Sequence, residues 1–145
     1  MKNWGLIVVL VLIAGGGLLL WQNRQPVKTC QYNSADNTIE DICVYNIKET
    51  MTIKSPLELT GEARGAWFFE ASFPVEIMDG NNNILAQGLA QAHGDWMTEN
   101  LVPFTVTDLK FESPLTNTGT LVLKKDNPSG LLANDDSLTI PIRFR

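Results

Sequence analysis

From Trp67 to Ile77 every odd-numbered position is apolar: Trp67, Phe69, Ala71, Phe73, Val75 and Ile77, with Glu70, Ser72 and Glu76 between them. A period of two predicts a β-strand with one face on a core, because successive side chains of a strand point to opposite sides. On this parity Trp67 and Phe69 turn inward, and Phe68 faces an exposed or edge patch. Pro74 cannot donate to a ladder, so the strand is expected at a sheet edge or at a bulge. The same alternation recurs at 57–61, 84–92, 102–106, 120–125 and 138–144. Leu109 and Phe111 change phase after Val106, which predicts a bulge near Thr107–Asp108. Turn-forming stretches separate the segments: "DGNNN", "SPLTNTG", "DNPSG" and "ANDD". No amphipathic helical pattern of useful length follows Met51. The pattern predicts an all-β fold, an immunoglobulin-like β-sandwich of about seven strands over residues 51–145, preceded by one transmembrane helix.

The helix is expected from residues 4–21, "WGLIVVLVLIAGGGLLLW", which hold no charge. At a helical rise they span about 27 Å, close to the hydrocarbon thickness of a bilayer. Trp4 and Trp21 bracket the run as interfacial aromatics do. The small residues at 14–17 lie mid-run and "LWQN" is a poor cleavage site, so the segment reads as an uncleaved signal anchor rather than a cleaved leader. "VKTC" has a lysine where a lipoprotein signal needs a small apolar residue. Residues 1–3 then form a cytoplasmic tail and 22–50 a stalk. The carboxyl-terminal domain lies outside a bacterial cell as part of a single-pass membrane protein. Cys30 and Cys43 stand in this exported stretch, where one disulfide closing the loop between them is the expected chemistry. A metal site would need more ligands, and His93, the one histidine, is far along the chain.

Charge sharpens the picture. The formal net charge is −5, and every Asp and Glu lies from Asp36 onward. An acidic exported part excludes nucleic acid as a partner, since no basic patch is available to neutralise phosphates. It equally disfavours docking on anionic lipid.

Three groupings invite a chemical reading. Glu62, Arg64 and Glu70 flank the aromatic run. A general acid needs a raised pKa, whereas an arginine beside two carboxylates keeps both ionised, so the trio is read as structural ion pairing. Trp96 and Met97 in "GDWMTEN", with Phe68, are the candidate binding residues for a glycan or protein ligand. Asp79, Asn81 and Asn83 begin a calcium-loop spacing, but Ile84 and Ala90 stand where that loop needs glycine and glutamate. Asp126, Asn127, Asp135 and Asp136 read as turn residues before they read as a calcium site. His93 and Asp95 lack a serine in a nucleophile setting. No catalytic residue, metal site or cofactor is expected.

The stretches "SPLELTGEARGAWFFEASFPVEIMDGNNNIL", "HGDWMTENLVPFTV", "GTLVLKKDNPSG" and "DDSLTIPIRF" resemble, in this order, the bacterial spore-germination immunoglobulin-like domain, also called the second GerM-associated domain. The resemblance covers about residues 52–145. It implies an extracytoplasmic β-sandwich and a non-catalytic module. The expected function is therefore a membrane-tethered adhesion or scaffold module that contacts an envelope protein. Binding of cell-wall glycan through loop aromatics is the alternative, with a role in spore germination behind it.

Overall fold

The computed structural model describes residues 26–145. The cytoplasmic tail and membrane-spanning segment expected at 1–21 lie outside the described residues. Among the described residues no helix is long and apolar enough to cross a membrane.

Nine strands follow one another: β1 (Lys28–Tyr32), β2 (Glu40–Tyr45), β3 (Met51–Thr52), β4 (Leu57–Arg64), β5 (Ser72–Asp79), β6 (Ile84–Ala92), β7 (Leu101–Leu109), β8 (Thr118–Lys124) and β9 (Ser137–Arg143). They form one sheet in the order β1-β2-β4-β7-β6-β5-β8-β9-β3. Every pairing is antiparallel except that of β3 with β9. The β6–β7 ladder is confined to Gln91↔Thr105 and Ala92↔Phe104. At this weak join the sheet folds over, so β1-β2-β4-β7 faces β6-β5-β8-β9-β3 as the two layers of a sandwich.

The core lies between these layers. Phe73 of β5 meets Phe104 of β7 edge to face with centroids 5.0 Å apart, a favoured geometry for aromatic rings. Val102, Phe104 and Val106 of β7 and Leu138, Ile140 and Ile142 of β9 are buried in the alternation that the sequence predicts. The expected bulge is present: pairing shifts between Leu57↔Leu109 and Leu59↔Val106, and Asp108 takes a positive φ of 62°. The extra residue returns Leu109 to the core. Gly61 of β4 is required by close approach, because a Cβ there would run into the Cys43 carbonyl and the Phe104 ring.

Two expectations are corrected. Residues 28–45, assigned to a stalk, are two strands of the sheet, and Ile42 and Val44 are core residues. The Cys30–Cys43 disulfide therefore joins directly opposite residues of β1 and β2 rather than pinning a linker. The long strand expected through Trp67 is interrupted. Gly65–Trp67 form a 3-10 turn, and Glu70 and Ala71 adopt positive φ values of 49° and 62°. Side-chain parity is lost across this turn, so Trp67 and Phe68 are both buried while Phe69 is 42% exposed. Both buried rings pack on Phe73, with centroids 5.9 and 5.1 Å away. β5 is a central strand over most of its length, but at Pro74 only β6 flanks it, so the edge expected at this proline is present locally. Pro74 is tolerated because β8 pairing begins only at Val75.

On the outer face of β5, buried Glu76 accepts from Lys124 Nζ at 2.6 Å and from Gln87 Nε2 at 3.0 Å. The Lys124 hydrogen bond, against the cost of burial and with help from Gln87, holds the Glu76 carboxyl below its ordinary range. A depressed folded-state pKa contributes stability at pH values above the unfolded pKa, about 4.3 for glutamate, and that stability is lost as pH falls toward the folded value. Urea unfolding between pH 7 and pH 3 is expected to show a smaller acid-limb loss for Glu76→Gln than for the unaltered protein. Replacing Cys30 and Cys43 together by Ala is expected to lower unfolding free energy by about 3 kcal/mol, from the short loop that the bond closes.

Candidate functional site

Antiparallel succession sends alternate connections to opposite ends of the sandwich. The links 33–39, 65–71, 93–100 and 125–136 gather at one end. The chain enters β1 at the other end, beside Tyr45, together with the links 46–56, 80–83 and 110–117.

Three of the gathered loops, 65–71, 93–100 and 125–136, are tied together by hydrogen bonds. Arg64 Nη1 donates to the Glu99 carbonyl at 2.6 Å, and Gly65 N to the Asn100 carbonyl at 3.2 Å. No side chain fits at Gly65, where a Cβ would strike the carbonyls of Trp96 and Thr98. Asp126 N bonds the Trp67 carbonyl at 3.0 Å, which ties the 125–136 loop to the 3-10 turn. Gln31 Nε2 reaches Asp136 Oδ1 at 2.6 Å across the seam between β1 and β9. Beside that seam lies an open polar cleft of about 400 Å³, with Tyr32, Asn33, Lys125 and Asp135 on its walls.

Local polar chemistry then decides which side chains face solvent. Within 125–136, Asn127 Nδ2 donates to the Leu131 carbonyl at 2.8 Å and to Asp135 Oδ1 at 2.6 Å, and Asn134 Nδ2 to Ser129 Oγ at 3.0 Å. The loop satisfies its polar groups internally and turns Leu131 and Leu132 outward, Leu132 being 86% exposed. In the 93–100 loop, Met97 N bonds Asp95 Oδ1 at 3.0 Å, an Asx turn that leaves the Met97 side chain 78% exposed. Phe69 completes the group on the 65–71 connection. With Ile39 of the 33–39 loop, 37% exposed, this end presents apolar side chains from all four loops.

The candidate residues fare unequally. Met97 stands at the exposed tip. Trp96 is half-buried and packs against the core. Phe68 is 4% exposed and offers no surface to a ligand, because the turn after Gly65 folds its ring onto Phe73. The trio of Glu62, Arg64 and Glu70 is not assembled. In the β2–β4 register Ile42 faces Ala63, which brings Asp41 to Arg64, and Arg64 Nε lies 3.5 Å from Asp41 Oδ1. Glu62 stands near Tyr45 instead; burial pushes the Tyr45 hydroxyl up, and a hydrogen bond with Glu62 adds to the shift. Glu70 is exposed on its positive-φ turn. Sequence reasoning missed Asp41, Leu131 and Leu132. The two leucines carried a signal, as adjacent apolar residues without strand periodicity inside a turn-rich stretch.

Other groupings are structural. Asp79 accepts from Asn81 N and Asn83 N, each at 2.8 Å, and from Asn83 Nδ2 at 2.9 Å, which caps the β5–β6 turn. Cys30, Glu40 and Cys43 lie together, but the two sulfurs are bonded to each other and no thiolate remains. His93 Nε2 lies 2.9 Å from Thr105 Oγ1 on the surface.

Layers, crossed core and clustered loops define an immunoglobulin-like β-sandwich. The chain belongs to the family described as the immunoglobulin-like domain of bacterial spore germination, which it matches over residues 44–130. Comparison with curated proteins and with solved structures found no match. The matched span runs from Val44 of β2 to the middle of the 125–136 loop, while β1 and β9 complete the sheet outside it.

Arg64→Ala is expected to release the 93–100 loop while the sandwich persists. Hydrogen exchange should show the amides of 97–100 exchanging roughly tenfold faster, with global stability lowered by only about 1 kcal/mol.

Proposed function

We propose that this protein is a membrane-tethered, extracytoplasmic and non-catalytic module that holds its loop end toward a protein of the bacterial envelope. One observation carries the reading: at the end opposite the one where the chain enters β1, Phe69, Met97, Leu131 and Leu132 are exposed on three loops that hydrogen bonds tie together, whereas the entry end exposes Met51 and Leu115 on separate links. A tether joined at β1 leaves the loop end facing away from the membrane. The uncharged run at 4–21 supports the tether, and the family supports an extracytoplasmic setting. Tethering raises the effective concentration of a binding surface, so moderate affinity serves an adhesion or scaffold role.

The loop end works as a preformed platform. The 65–71, 93–100 and 125–136 loops are pinned by Arg64, Gly65, Asp126 and Gln31 before any partner arrives, so little ordering entropy is lost on docking. A photo-reactive phenylalanine analogue at Met97 of the full chain, in intact cells, is expected to cross-link to an envelope protein. The same analogue at Leu115, fully exposed at the opposite end, is expected to give no such adduct. Adducts from Leu115 alone, or from neither position, overturn the reading.

A further inference from the structure

The net charge of the molecule is concentrated at the end that exposes Phe69, Met97, Leu131 and Leu132. The 33–39 loop contributes Asp36, the 65–71 connection Glu70 and the 93–100 loop Asp95 and Glu99. The 125–136 loop adds Asp126, Asp135 and Asp136, and Lys125 is the single lysine or arginine in all four. That is seven carboxylates against one cation in a chain whose net charge is −5, so the remainder is close to balanced. All seven except half-buried Asp126 are exposed. The links of the opposite end carry Lys48, Lys54 and Lys110 against Glu49 and Glu112.

From this superposition we infer that the loop end docks a protein surface in which an apolar patch is ringed by lysine or arginine. The inference rests on the reading that the loop end faces an envelope protein and adds the chemistry of that partner. Phe69, Met97, Leu131 and Leu132 supply the apolar contact. The surrounding carboxylates require cations opposite them, because like charges set face to face are strongly unfavourable. Other occupants fit less well. A second copy docking end to end would press two acidic rims together. Anionic wall polymers, nucleic acid and anionic lipid meet the same repulsion. A neutral glycan stacks on several open aromatic faces, whereas in these loops Phe69 is the one exposed aromatic ring and Trp96 is packed against the core.

The test places the photo-reactive analogue at Phe69 of the full chain in intact cells. Two further sets of changes are then introduced separately, and protein levels are matched. Isosteric neutralisation by Glu70→Gln, Glu99→Gln and Asp126→Asn is expected to cut adduct yield about tenfold, as is raising the salt to about 0.5 M. Met97→Ser with Leu132→Ser is expected to cut it by a similar factor at unchanged salt. The partner peptide recovered in the adduct is expected to hold lysine or arginine flanking apolar residues. An adduct that is insensitive to neutralisation and salt overturns the inference while leaving an envelope-protein partner in place. An adduct to a second copy, a glycan or a lipid overturns it as well. No adduct from Phe69 or from Met97 overturns both this inference and the reading beneath it.

Discussion

The rest of the structure depends on the aromatic seam between the two layers. One continuous sheet can become a sandwich only if its halves have something to close upon, and Phe73 against Phe104 is that contact. The two rings belong to strands on either side of the sparse join where β6 and β7 share a two-residue ladder. Hydrogen bonding there is too sparse to hold the layers in place, so burial of the rings fixes the fold-over. A buried phenylalanine of this kind is worth about 3–5 kcal/mol against alanine, a large part of the stability of a small domain.

The same seam builds the loop end. Trp67 and Phe68 leave the strand geometry and close over Phe73, which sets the 3-10 turn at the mouth of the sandwich. The Trp67 carbonyl then receives Asp126 N, and Arg64 and Gly65 receive the 93–100 loop. Core packing thereby positions the surface, and internal polar networks leave Leu131, Leu132 and Met97 on its outside. Immunoglobulin-like sandwiches serve binding in this way, with rigid strands below and variable loops above.

Much of the strand content was legible because period-two burial is local. The alternation at 102–106 and 138–144, the bulge before Leu109 and the β5–β6 turn all follow from neighbouring residues. The cysteine pair was legible too, although its setting was not. A stalk and an edge hairpin can share the same polar composition, and only pairing of β2 with β4 decides between them. The run through Trp67 misled because alternation in sequence does not reveal a turn built from residues with side chains. Glu70 and Ala71 at positive φ leave no glycine to mark the break.

By itself the sequence determined the β class, most of the strand positions, the disulfide partners, the acidic character and the uncharged run at 4–21, since each is written in residue type and near-neighbour spacing. The tertiary structure alone decided that Phe68 is buried and Phe69 exposed, that Arg64 meets Asp41 rather than Glu62 or Glu70, and that four loops distant in the chain meet at one end. Those outcomes depend on which strands become neighbours and where the sheet folds over. Long-range pairing and packing set both, and no local pattern encodes them.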